Sequence, residues 1–96
     1  MIFGRVAGTV VSNTKNDNFQ GAKYLLIEKC SHNGQPKNDF FVALDMVSAG
    51  PGELVLLCQG SAAQQTLVTT KKPMDAIVVA IVDLIDENGK IVFQKK

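Results

Sequence analysis

Apolar residues in this chain fall into short runs separated by clusters of glycine, asparagine, aspartate and serine, the layout of a protein built from strands. Ile2 to Thr14 reads as a first strand, with Ile2, Val6 and Val10 on one face and Gly4 and Gly8 where a sheet can bend sharply. The polar stretch Lys15 to Gly21 is a loop, with Phe19 the residue expected to pin it down. Ala22 to Cys30 makes a second strand, and the loop Ser31 to Asn38 contains Asn33-Gly34, a pair that favours a hairpin turn. A third strand runs from Asp39 to Val47. Ser48 to Glu53 packs small residues and Pro51 into a tight bend. Leu54 to Cys58 makes a fourth strand, and Ser61 with Gln64 three residues later is a helix-start pattern, predicting one short helical turn over Ser61 to Gln65. The β-branched residues of Thr66 to Lys72 suggest extended backbone, which Lys71-Lys72-Pro73 ends. Ala76 to Ile85 is the strongest strand, and Asp86-Glu87-Asn88-Gly89 turns it into a last one, Lys90 to Phe93.

This order predicts an all-β fold over residues 1–96 as one domain, a small barrel or a sandwich; a small closed five-stranded OB-like barrel with one short helix and a C-terminal β-hairpin is the expected form, a choice that rests on a family resemblance and not on strand order. The run Ala76-Ile77-Val78-Val79-Ala80-Ile81-Val82 does not alternate with polar residues. Successive side chains of a strand point to opposite faces, so such a run is apolar on both. With Ile77, Val79 and Ile81 placed inside the barrel, Val78, Ala80 and Val82 face outward and need a cover. Either a second copy of the chain supplies it, or the short helix and the terminal hairpin fold back over that face.

Length and charge narrow the function. A chain of 96 residues buries a thin core. Its residues are 46% hydrophobic but only 6% aromatic, so the apolar surface is mostly branched aliphatic. A formal charge of +1 supplies no field for phosphate backbones or anionic lipid. The apolar run Ala76 to Val82 is far shorter than the ~20 residues a membrane helix requires, and no membrane partner is expected. With no secretory pattern at the start, Cys30 and Cys58 are expected to be reduced thiols in the cytoplasm.

Candidate chemistry is sparse. Ser61 lacks the Gly-x-Ser-x-Gly elbow and reads as a helix cap. His32, Cys30 and Cys58 lack the paired spacing of a metal site. Asp45, Glu53, Asp75 and Asp83 show no acid and base pairing, and Gly50, Pro51, Gly52 and Gly60 lack a nucleotide-loop pattern. No enzyme activity, metal or cofactor is expected. Glu53 beside the bend either accepts backbone N–H groups of that turn or of a neighbouring subunit and locks the corner, or is a solvated surface acid. A single-stranded nucleic-acid binder of OB type is the alternative function, with Phe40-Phe41 beside Lys37 as its stacking platform.

Taken in order, Gly4-x-Val6-x-Gly8-Thr9-Val10-Val11, Gly21-x-Lys23-Tyr24-Leu25-Leu26-Ile27, the stretch Ser48 to Gln64, and Met74-Asp75-Ala76-x-Val78-Val79-Ala80-Ile81-Val82-Asp83 resemble the EutN/CcmL family over nearly the whole chain. That family supplies pentameric vertex proteins of bacterial microcompartment shells. The resemblance implies a homopentamer with a narrow axial pore, in a shell within the cytoplasm, with hexameric shell proteins as partners and no nucleic acid. It implies that Gly60, Ser61, Ala62 and Ala63 lie near the axis, where five copies of a side chain converge and bulk would collide. Ser48, Ala49, Gly50, Gly52 and Glu53, with Val78, Val82 and Asp83, form the expected subunit interface. Where the family often has Gly-Ala-Gly-x-Gly-Glu this chain has Ser48-Ala49-Gly50-Pro51-Gly52-Glu53, and Gln64 stands where an Arg often follows, so a charged pore lining is not implied.

Overall fold

Five of the apolar runs meet edge to edge and close on themselves. The computed structural model describes residues 1–11, 23–59 and 76–96. Its strands are β1 (Ile2–Val10), β2 (Tyr24–Cys30), β3 (Pro36–Asp45), β4 (Leu54–Gln59), β5 (Ala76–Ile81), β6 (Leu84–Glu87) and β7 (Lys90–Gln94). The first five form a closed barrel in the order β1-β2-β3-β5-β4, and β6 and β7 form a separate two-stranded sheet. All pairings are antiparallel except the short β3–β5 seam, where Leu44 faces Ile77 and Asp45 faces Val78. The described residues contain no helix, and the short helix expected over Ser61 to Gln65, like Phe19, falls outside them.

Aliphatic side chains of alternate positions fill the barrel: Val6, Leu25, Ile27, Ala43, Val55, Leu57, Ala76 and Val78, with Ala49 closing one end. Gly4 belongs to the same inward set, and the space a side chain would take there is filled by Ile27 and Leu57.

The phase of β5 corrects the expectation from alternation. Val78 points into the barrel opposite Leu57, while Ile77 packs on the outer side with Leu44. Between Val78 and Ala80 the register slips by one residue, because Leu57 pairs with Val78 and Leu56 with Ala80, leaving Val79 as a bulge. One extra residue inverts the faces on one side of it relative to the other. Ile81 thus packs against the interior as expected, and Ile77 does not. A strict two-residue period cannot describe a strand that carries a bulge.

Ala76 to Ile85 is also not one strand. It turns at Val82 and Asp83, which lie between β5 and β6. The hairpin β6–β7 then lies over the outer side of β1 and β4, where Ile85 and Phe93 cover Cys30, Leu54 and Val82 along with Phe3 and Leu56. Folding back of the hairpin thus accounts for one outer face, on β1 and β4. The other, on β2, β3 and β5, holds Tyr24, Leu44, Ile77 and Val79.

Both expected tight turns are present. Asn88 and Gly89 have φ of 54° and 82° and join Glu87 to Lys90, the two-residue turn whose twist suits a hairpin. In the β2–β3 connection only Gly34 is left-handed. There Ser31 N donates to Gln35 O, and Gly34 N to Ser31 O, a three-residue loop ending on glycine.

Candidate functional site

The corner between β3 and β4 is built from side chains that satisfy its backbone. Asp45, at the end of β3, has a side chain only 1% exposed, and its Oδ1 accepts the Val47 N–H at 3.0 Å and the Ala49 N–H at 3.3 Å. Lys23 Nζ lies 3.6 Å from Asp45 Oδ2 and balances its charge. An aspartate that accepts backbone N–H groups two and four residues ahead fixes a turn. It holds Ser48 in a left-handed conformation, φ 58°, and turns Ala49 inward against the barrel.

The bend itself runs from Gly50 to Glu53, with Glu53 N donating to Gly50 O at 3.2 Å. Pro51 and Gly52, the latter at φ 83°, occupy the middle positions that a type II turn assigns to proline and glycine. Glu53 Oε1 accepts the Gly50 N–H at 2.5 Å, which is the lock anticipated for this carboxylate. Its Oε2 accepts from Lys95 Nζ at 2.6 Å. Two backbone bonds join the bend to β1: Gly52 N to Val6 O at 2.8 Å and Val6 N to Glu53 O at 3.0 Å.

Arg5 ties this corner to the rest of that end of the molecule. Its Nη1 donates to Gly52 O at 2.9 Å and its Nη2 to Gly34 O at 3.2 Å, while the guanidinium lies 5.8 Å from the centre of the Phe93 ring. One side chain therefore joins the bend, the β2–β3 loop and β7. A cleft of about 510 Å³ lies beside it, lined by Pro51, Leu54, Phe93, Lys95 and Lys96 among others.

The Lys95 hydrogen bond, helped by the Gly50 N–H, holds the Glu53 carboxyl below its ordinary range, and the same bond raises the Lys95 ammonium. A carboxyl lowered by folding stabilises the fold above its unfolded pKa, about 4.3, and that contribution is lost as pH falls through the lower folded value. The raised ammonium contributes below its unfolded value, about 10.4, and loses that contribution as pH rises through the folded one. Thermal unfolding should therefore show Glu53→Gln below the parent chain at neutral pH, with the gap closing as pH falls below the unfolded pKa and through the lower folded one. A gap that persists unchanged in acid would mean the pair adds nothing.

The interface residues expected from the sequence separate into two groups. Ser48, Gly52 and Asp83 are exposed, and Gly50 and Glu53 are half-buried at the same end. Ala49, Val78 and Val82 are buried within the protomer, Ala49 and Val78 in the barrel and Val82 beneath the hairpin. Their side chains are covered by their own chain, which removes them from a contact surface. Gly60, Ser61, Ala62 and Ala63 lie outside the described residues.

The metal and stacking candidates are dispersed. His32 Nε2 lies 2.8 Å from Glu87 Oε1 in an exposed pair, Cys30 is buried under the hairpin where burial pushes its thiol up, and Cys58 packs on the outer face of β4. No group of three metal-ligating side chains occurs among the described residues. Phe41 turns into the barrel and Phe40 outward, while Phe3 and Phe93 pack under the hairpin, so among the described residues no row of exposed rings lines a groove. Sequence reasoning missed Arg5 and Lys95 as braces of the corner. Asp45 carried a signal, an acid followed at once by a run of small turn residues.

The family model for "Ethanolamine utilisation protein EutN/carboxysome" matches residues 1–83, the barrel and the corner together. The chain belongs to the EutN/CcmL family. Among relatives of this EutN/CcmL chain, the carboxysome shell vertex protein CcmL of Gloeobacter violaceus is 42% identical over 96 residues, spanning 100% of this chain and 96% of that protein. The bacterial microcompartment shell vertex protein EutN of Salmonella typhimurium is 37% identical over 90 residues, covering 94% of this chain and 91% of its own. The structure of Gloeobacter violaceus CcmL matches the fold with a TM-score of 0.91 at 41% identity, over 99% of this chain and 98% of that one. The GrpN pentameric microcompartment shell protein from Rhodospirillum rubrum matches with a TM-score of 0.80 at 38% identity, over 91% and 99%. The EutN/CcmL family model ends at Asp83, where the hairpin begins, whereas the CcmL match takes in the hairpin as well.

Proposed function

We propose that this chain is a structural vertex protein of a bacterial microcompartment shell, acting as a homopentamer and carrying no catalytic activity. The observation that carries this reading is the match, over nearly the full length and at 38% identity, to a shell protein described as pentameric. The protomer's own physics supports it. A barrel this small has apolar side chains on both surfaces of β3 and β5, and the hairpin covers only the β1 and β4 side. In a polyhedral shell, flat hexagonal tiling closes only where five-fold units stand at the corners. The hexameric shell proteins are then the partners at the pentamer's outer edge.

Gly60, Ser61, Ala62 and Ala63 are proposed to surround the axis of that ring, because only small side chains fit where five copies converge. Ser48, Gly50, Gly52, Glu53 and Asp83 are proposed as contact positions, on a corner whose rigidity lets it serve as a docking edge. Native mass spectrometry of the purified chain tests the reading. The expected species has five times the 10.3 kDa chain mass, and a 10.3 kDa species alone at micromolar concentration would overturn it. Deleting the gene should leave shells open or elongated.

A further inference from the structure

A ring of five identical subunits has no two-fold axis between neighbours, so every contact joins two different patches of the same chain. Each protomer must then present two faces that fit each other. Apart from Met1 and Val11, the large apolar side chains exposed among the described residues fall into two sets, Phe40, Val42 and Met46 on one and Leu84 and Ile91 on the other.

The first set lies on one surface. Phe40, Val42 and Leu44 alternate along β3 on the side turned away from the barrel, and Met46 continues the series past the strand's end. Phe40 is 48% exposed, Val42 43% and Met46 41%, whereas Leu44 is buried among Ile77, Tyr24 and Val79 and anchors the stripe. The second set lies on the hairpin. Ile85 and Phe93 pair with each other and face the barrel, which turns Leu84 and its partner Gln94 to the opposite side. Past the bulge, Asp86 and its partner Ile91 share that outer side, and Leu84 and Ile91 are 47% and 53% exposed.

The topology sets these surfaces on opposite sides. In the closed order β1-β2-β3-β5-β4, the strand β3 is two places from both β1 and β4, and the hairpin lies over β1 and β4. Lys95 links the hairpin's end to Glu53, so the rigid corner belongs to the hairpin side. Two unlike apolar faces on opposite flanks are what a head-to-tail ring requires. Resting on the pentamer reading above, we propose that neighbours join with the outer face of β3 in one protomer seated against the hairpin and corner of the next.

Two variants of the full chain test this pairing, Phe40→Glu with Val42→Glu on one face and Leu84→Glu with Ile91→Glu on the other. All four side chains are solvent-exposed, and circular dichroism checks that each variant folds; serine in place of glutamate serves if either does not. Native mass spectrometry should show each variant as a monomer where the parent chain is a ring. Mixed in equal amounts, the two should form a one-to-one dimer and nothing larger, because each retains one intact face of opposite kind. A parent ring that survives either double substitution, or two monomeric variants that fail to pair, overturns the proposed faces and leaves the pentamer standing. A monomeric parent overturns both.

Discussion

Replacing Gly4 with valine is expected to destabilise the fold by about 3 kcal/mol, a large share of the roughly 5 to 15 kcal/mol typical of a small domain. A Cβ at this position would run into Ile27 Cγ2 and sit 3.0 Å from Leu57 Cδ1 and 3.3 Å from the Glu28 carbonyl oxygen. Neither Ile27 nor Leu57 has room to retreat, since both are wholly buried in the barrel core. The valine adds two methyl groups to that conflict, and a close-packed interior answers with off-rotamer side chains and backbone shifts. Gly8, four residues on, where the register of β1 against β2 slips between Val6 and Gly8, supplies the control. A Cβ there meets nothing within 4 Å, so Gly8→Ala should be neutral or raise stability by about 0.5 kcal/mol by restricting the unfolded chain. Urea unfolding of the two variants measures both. Equal effects would mean that Gly4 marks a bend rather than a close approach.

Those two glycines show how far a sequence can be read. Their placement inside a strand announced a barrel wall, because glycine there weakens a sheet unless a bend or a close neighbour requires it. Which of the two lies against the core depends on Ile27 and Leu57, more than twenty and fifty residues away along the chain. The Asn88-Gly89 turn, by contrast, was legible in full, since left-handed backbone at both positions is a local preference. Strand existence was local too, and β2, β4 and β7 stand within two residues of where their composition puts them.

The corner was legible in outline only. Small residues and Pro51 announced a bend, and Glu53 an acceptor for its N–H groups. The braces did not show, because they are contacts between distant positions: Arg5 to Gly52 across 47 residues and Lys95 to Glu53 across 42. An arginine near the start of a strand and a lysine in a basic tail look like ordinary surface charges until the fold sets carbonyls and a carboxylate beside them. Arg5 is the more consequential. Its fork spans two carbonyls from different loops and its plane lies toward an aromatic ring, a role that a point-charge lysine cannot reproduce.

The physical case for assembly survives the inverted phase of β5, with different residues in it. A ribbon apolar on two sides satisfies one inside the barrel, and the bulge at Val79 decides which. Ile77 and Val79 take outer places although alternation put both inside, and β3 contributes the exposed stripe beside them. The hairpin shelters Val82, so the surface left for a neighbour moves from the β5 terminus to β3.

Val78→Glu separates these two arrangements most sharply. If Val78 lay on a subunit contact, a glutamate would release folded monomers. Inside the barrel, fully buried opposite Leu57, it should unfold the chain. The substitution forfeits about 1.5 to 3 kcal/mol of aliphatic burial, and an unpaired polar group in such surroundings adds a cost of at least about 2 kcal/mol. Raising the carboxyl's pKa lets it enter neutral but leaves its oxygens without donors, because Leu57, Val55, Leu25 and Ile27 offer none from their side chains. The expected result is loss of the cooperative thermal transition and of soluble protein. Val42→Glu, on the exposed outer stripe, should keep the transition and lose the ring. Circular dichroism melts with native mass spectrometry read both, and a folded, monomeric Val78→Glu chain would return β5 to the phase that simple alternation implies.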